Sequence, residues 1–213
     1  MIVARLLVLG TSFTLACVAP ASSAGRATQA SAHAAHVAPH TAHTSKTNLV
    51  DVAVATSLGR FVVRLETVKA PVTTANFLRY VDAKTYDDTE FYRTVAKKNE
   101  PAAPFEVIQG GLNPKAGNTN VPIKLEPTSK THLTNTDGAL AMARTNDPNS
   151  ATTEFFVDLG DARYLDAGGP LGTGYAVFGR VISGMDVVRK IHEAPSQGEA
   201  LQPTVKILTM RRT

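Results

Sequence analysis

The residues best suited to chemistry lie in one stretch, Thr89 to Leu112, TEFYRTVAKKNEPAAPFEVIQGGL. An aromatic pair, Phe91-Tyr92, precedes the cation Arg93, and Val107-Ile108 precede Gln109, Gly110 and Gly111. A guanidinium is a stiff donor that stays charged, and a glutamine amide both donates and accepts. Together they offer hydrogen-bond donation from a fixed cation. No Ser/His/Asp or Cys/His set accompanies them: His132 and His192 lack a partner pattern and read as structural, and Asp137-Gly138 reads as a turn. The bland alternative is plain. An arginine on a strand is by default a solvated surface charge, and Gln109 could simply satisfy a strand end.

The elements that must position these side chains follow from pattern. Both ends of the stretch are β-branched and aromatic, as strands are, and the charged, proline-punctuated KKNEPAAP between them is a loop. Gly110-Gly111 permits a turn or the close approach of a ligand. Upstream, LVDVAVATSLGRFVVRLE alternates with period two around Ser57-Leu58-Gly59, a β-hairpin. APVTTANFLRYVDAK has Pro71 suited to a first helical turn, a hydroxyl or small polar cap nearby, and apolar residues at helical spacing. Asn113 to Lys130 reads as a long surface loop with one short strand, Val121 to Leu125. GALAMAR, EFFVDL, YAVFGRVIS and PTVKILTMR read as strands, GMDVVRKIHEA as a second amphipathic helix, and Pro195 to Gln202 as a loop. About eight strands with connections too short for parallel crossovers predict a mainly β fold. The expected form is a closed eight-stranded antiparallel β-barrel capped by two α-helices.

Composition adds bounds. Arg5 followed by the apolar Leu6 to Ala19 and small residues before Ala24 predicts a signal peptide over 1–24, too short and interrupted to span a bilayer. Residues 25–46, rich in Ala, Ser, Thr and His without periodicity, predict a disordered linker. The folded domain is expected over 47–213. The protein is then periplasmic or secreted, with a lipid anchor on Cys17, the only cysteine, as a minor alternative. His33, His36, His40 and His43 could capture a transition metal, though nothing fixes their geometry and a polar tether is the simpler reading. The net charge of +4 is too small and scattered for a nucleic-acid partner. No later segment is apolar enough for a membrane span, and a monomer is expected.

The segments APVTTANF, FYR, VIQGG, GALAMAR, EFF, YLD and VFGRV stand in the order and spacing of the cyclophilin-type peptidyl-prolyl cis-trans isomerases, and the chain most resembles their exported bacterial branch. The resemblance covers about Asn48 to Thr213. It implies a closed eight-stranded barrel with two helices, rotation about X–Pro bonds in proline-containing polypeptides, a role in folding exported proteins, and neither metal nor cofactor. It places the catalytic arginine at Arg93 and the substrate-orienting glutamine at Gln109. Val107 lines the proline pocket, Phe156 floors it, Leu165 closes another side, and Ala143 and Arg144 lie on the strand that pairs with substrate.

Four positions depart from the family pattern. Tyr164, where many eukaryotic members have tryptophan, and Tyr175, which replaces a common histidine, are both expected to bind substrate, and Glu154 replaces a common glutamine. Glu106 falls where a pocket phenylalanine is usual, with Phe105 adjacent. Strand alternation puts Phe105, Val107 and Gln109 on one face and Glu106 and Ile108 on the other, so Phe105 is expected to form the aromatic wall. A carboxylate there would be desolvated without a partner. The competing reading is a catalytically weak proline-peptide-binding chaperone module. Arg93 argues for turnover, and Glu106 keeps the binding module in play.

Overall fold

The computed structural model describes residues 49–111 and 121–213. The signal peptide, the histidine-bearing linker, Cys17 and the loop from 113 to 120 lie outside the described residues. In chain order the elements are β1 (Leu49–Thr56), β2 (Gly59–Glu66), α1 (Pro71–Asp82), β3 (Thr89–Val95), β4 (Glu106–Gly111), α2 (Thr128–Thr131), β5 (Ala139–Met142), β6 (Phe155–Leu159), β7 (Val177–Ser183), α3 (Met185–His192), β8 (Ser196–Gln197) and β9 (Ala200–Arg212), with a 3₁₀ turn at Arg163–Leu165.

Eight strands close into a ring in the order β1-β2-β7-β5-β6-β4-β3-β9, and β9 returns to β1. Every pairing is antiparallel. This is the expected barrel. The two-residue β8 pairs only with β9, outside the ring.

Alternation along the strands divides the apolar residues into two buried sets. Val52, Val54, Phe61, Val63, Phe91, Ile108, Leu140, Phe155, Val157 and Phe178 point inward, and the α1 residues Phe77 and Val81 and the α3 residues Val188 and Ile191 join them from the ends. The Phe77 ring meets Phe155 edge-on at 5.5 Å. The opposite parity, Val107, Ala139, Ala141, Phe156 and Val177, forms a second cluster on the outer face, roofed by Ala162 and Leu165. A strand buried on one face only would leave these residues wet. Their burial marks the stretch of barrel wall that loops cover, and the candidate site lies there.

Several expectations change in detail. Asn113 to Lys130 does not end as plain loop: Thr128–Thr131 forms one helical turn, stopped by His132 in the left-handed region at φ 57°. Four residues are too few for apolar periodicity to reveal. The expected strand Val121 to Leu125 reduces to a single bridge, Ile123 opposite Ala151. The loop from 195 to 202 contains the β8–β9 hairpin. Helix α1 does begin with Pro71, but Ala70 at its N-cap supplies no side-chain bond. The cap comes from Glu126, whose Oε1 accepts from Val72 N at 3.0 Å and whose Oε2 accepts from Thr73 N at 2.8 Å. A carboxylate at a helix N-terminus satisfies orphan N–H groups and complements the dipole. Among the described residues no helix is long and apolar enough to cross a membrane.

Candidate active site

The barrel register brings distant residues into one row. Arg93 on β3 stands opposite Gln109 on β4. Gln109 stands opposite Phe156 on β6, Phe156 opposite Ala141 on β5, and Ala141 opposite Val177 on β7. Cross-strand neighbours share a face, so this row lies on the outer side with the second cluster.

A bulge tunes the start of the row. Phe91 pairs with Gly110 and Arg93 with Gln109, so Tyr92 is an extra residue on β3. The bulge lets Tyr92 and Arg93 both address Gln109, where strict alternation would send one of them inward. Gly110 permits the close packing at this point: a Cβ there would stand 2.8 Å from Cδ1 of Phe91 and 2.9 Å from the Glu90 carbonyl oxygen. Both uses expected for this glycine pair occur: Gly110 makes a close approach, to protein rather than to a ligand, and Gly111 takes a positive φ of 117°.

The resulting pocket holds about 120 Å³ and is lined by Arg93, Phe105, Val107, Gln109, Ala143, Arg144, Phe156, Leu165 and Tyr175. An apolar cavity of about 150 Å³ accepts a benzene ring, so the space suits a five-membered ring. Val107 and Phe156 are buried behind it and Leu165 closes one side. Phe105 contributes the aromatic wall, while Glu106 turns away: its Oε1 accepts from Lys97 N at 2.9 Å and lies 3.7 Å from Nε2 of His192. Tyr164 does not line the pocket. It stands behind Phe105, rings stacked at 6.1 Å, and braces that wall. Tyr175 meets Phe156 edge-on at 5.4 Å, and the Arg144 guanidinium sits 4.6 Å over the Tyr175 ring. Arg144 also donates from Nη2 to the Gly174 carbonyl at 2.7 Å, which pins it beside the pocket. Ala143 lies one residue past β5 and gives its N–H to the Glu154 carbonyl.

The polar side of the pocket is a chain of hydrogen bonds. Arg93 donates from Nε to Glu199 Oε2 at 2.6 Å and from Nη1 to Gln109 Oε1 at 2.8 Å. Gln109 donates from Nε2 to the Tyr92 hydroxyl at 2.7 Å and to Glu154 Oε2 at 3.1 Å. Tyr92 in turn donates to Glu154. A guanidinium only donates, so Arg93 fixes the Gln109 amide with its oxygen toward Arg93 and its nitrogen toward Tyr92 and Glu154. Burial raises the Glu154 carboxyl above the usual range, opposed by the bonds from Tyr92 and Gln109. Burial, aided by the adjacent Glu154 carboxylate, pushes the Tyr92 phenol far up. Beyond this chain opens a wider depression of about 420 Å³, which shares Gln109, Ala143 and Arg144 and adds Thr145, Ser150 and Thr152.

Tyr92, Glu154 and Glu199 are the members that sequence reasoning did not assign to the site, Glu154 having stood out only as a departure from the family's glutamine. Tyr92 was visible only as part of an aromatic pair. Glu199 follows Gly198, a turn signal and nothing more. No group of three or more His, Cys, Asp or Glu with metal-holding geometry occurs among the described residues.

Comparison with known proteins identifies the family and the fold. The family model for cyclophilin type peptidyl-prolyl cis-trans isomerases matches residues 49–212. A peptidyl-prolyl cis-trans isomerase of Acinetobacter baylyi is 41% identical over 157 residues, covering 72% of this chain and 78% of that protein. Peptidyl-prolyl cis-trans isomerase B of Escherichia coli is 41% identical over 140 residues, covering 64% and 80%. The fold is also that of a cyclophilin type isomerase of Cryptosporidium parvum, with a TM-score of 0.65 at 21% identity, covering 78% of this chain and 98% of that one. With a match across the whole barrel, and an apolar pocket flanked by Arg93 and Gln109 on its outer wall, the chain belongs to the cyclophilin-type peptidyl-prolyl cis-trans isomerase family.

Proposed function

We propose that this isomerase turns X–Pro bonds in the pocket between Phe105 and Phe156, with Arg93 as the group that stabilises the twisted state. The observation that carries the reading is the row Arg93–Gln109–Phe156, which sets a guanidinium at the wall of an apolar socket sized for a small ring. Amide resonance holds the prolyl bond planar behind a barrier of about 18–20 kcal/mol. Rotation breaks that resonance, the prolyl nitrogen becomes pyramidal, and its lone pair can accept a hydrogen bond. No covalent bond breaks, so neither nucleophile nor general base is required. Phe105, Val107, Phe156 and Leu165 hold the ring by apolar contact. Arg93 donates to the nitrogen only once it is twisted, and an interaction made only in the transition state raises turnover rather than affinity. Gln109 holds the guanidinium from one side and faces the neighbouring depression, where the flanking polypeptide would lie along Ala143 and Arg144.

The binding-module reading drew its support from a carboxylate in the socket. Glu106 bonds Lys97 N instead of facing the pocket, which favours turnover. We further propose that residues 1–24 direct export, that 25–46 tether the domain, and that the protein acts as a monomer on proline-containing polypeptides folding in the periplasm or outside the cell. The test is Arg93→Ala. A hydrogen bond from a charged donor contributes about 1.5–3 kcal/mol, so kcat on an X–Pro peptide should fall roughly 10- to 150-fold, with peptide affinity little changed. An unaltered kcat in a folded Arg93→Ala protein would sink the mechanism.

A further inference from the structure

Arg93 is held from two sides, and one hold comes from outside the row described above. Glu199 stands in the two-residue turn that joins β8 to β9. That turn is tied to the barrel by its backbone. Thr94 donates its N–H to the Glu199 carbonyl at 2.8 Å. Ala200 stands opposite Arg93 in the β3–β9 ladder. Asn99, from the loop after β3, donates from Nδ2 to the Gly198 carbonyl at 2.6 Å and to Ser196 Oγ at 3.2 Å, while its Oδ1 accepts from Ala96 N at 2.9 Å. The carboxylate therefore arrives on an anchored backbone.

The Arg93 and Glu199 side chains are 34% and 39% exposed. An ion pair so open to water contributes little to folding stability. Its effect is geometric. A guanidinium is a planar fork, and holding Nε together with one Nη fixes both its plane and its rotation. With Nε on Glu199 and Nη1 on Gln109, Nη2 is the end with no partner among the described residues, and Arg93 lines the pocket.

We propose that Glu199 is a positioning residue for turnover, clamping the Nε edge of Arg93 so that its remaining donors face the prolyl nitrogen. This deepens the assignment of Arg93 as the transition-state donor and rests on it. A nearby carboxylate also draws on the cation's field, which by itself would weaken donation. That field acts across an exposed, screened site. Orientation therefore decides the sign, and removing Glu199 slows the reaction.

The test is steady-state kinetics of an X–Pro peptide with the full chain carrying Glu199→Ala or Glu199→Gln. Glu199→Ala should lower kcat about three- to tenfold, the loss of one exposed charge-assisted hydrogen bond, with KM changed less than about twofold. Glu199→Gln should fall between, because its amide oxygen still accepts. The Arg93 Nε–H signal in NMR should broaden or shift in Glu199→Ala, which a merely structural role would not require. Adding Glu199→Ala to Arg93→Ala should cost nothing further, measured by exchange NMR on the residual rate. An unchanged or raised kcat, or an equal loss in the Arg93→Ala background, overturns the proposal. Failure of the parent reading looks different: Arg93→Ala itself would keep full turnover.

Discussion

Replacing Asp158 by asparagine tests how burial acts on a carboxylate behind the pocket. Asp158 lies on β6, two residues beyond Phe156 and opposite Val107, and is fully buried. Neither of its carboxylate oxygens has a hydrogen-bond partner among the described residues. Burial, with a smaller push from the Asp166 carboxylate, holds its pKa well above the usual carboxylate range. The sign follows. A folded-state pKa above the unfolded value of about 3.9 means that the fold retains a proton the unfolded chain gives up. The contribution to stability is fully present below about pH 3.9 and is lost as pH rises through the folded pKa, at a slope of up to about 1.4 kcal/mol per pH unit. An asparagine side chain cannot ionise, so the Asp158→Asn variant escapes that slope. Its amide still lacks partners, which adds an offset of about 1–3 kcal/mol that does not vary with pH. The diagnostic is therefore the slope of the difference rather than its intercept. Urea or thermal unfolding of both proteins between pH 4 and pH 8 should show Asp158→Asn gaining on the parent as pH rises. Each kcal/mol corresponds to about 2–4 °C in Tm for a domain of this size. Parallel curves, or a gain toward acid, would refute the reasoning, because they would mean that Asp158 is ionised and paired in the fold.

Three further outcomes are expected. Phe105→Ala should weaken peptide binding and turnover together, since it removes one wall of the pocket, while Glu106→Ala should leave both near wild type; peptide titration and kinetics on the two variants decide it, and the reverse pattern would make Glu106 the selector at the rim. Glu126→Ala should lower stability by about 0.5–2 kcal/mol, as loss of a helix N-cap does, and denaturant unfolding reads this directly; no change would show that water replaces the carboxylate at Val72 and Thr73 without cost. A chain beginning at Thr47 should keep its Tm and kcat, because 25–46 has too little apolar content to contribute a core; a large fall in either would contradict the tether reading.

Local pattern was enough for much of this protein. Period-two alternation in LVDVAVAT and GRFVVRLE defines a hairpin because every second residue faces the barrel core, and β1 and β2 pair residue for residue from Leu49–Glu66 to Thr56–Gly59. Alternation carried one residue back from β4, which begins at Glu106, also separated Phe105 from Glu106. The resemblance to the cyclophilin-type motifs, and not pattern alone, named Arg93, Val107, Gln109, Phe156 and Leu165, and the structure gathers them around one pocket. What alternation could not show is which face of the wall is covered by loops, because it reports on a single element. Barrel closure decided that, by stacking β3, β4, β6, β5 and β7 in one register. Bonds between residues far apart in the chain were equally invisible: Glu126 reaches a helix 54 residues upstream, and Glu199 reaches Arg93 across 106. Neither glutamate differs by type or local context from a solvated surface charge. Each acquires its partner only when the ring closes and brings a loop or a two-residue turn against a donor that the backbone already holds in place.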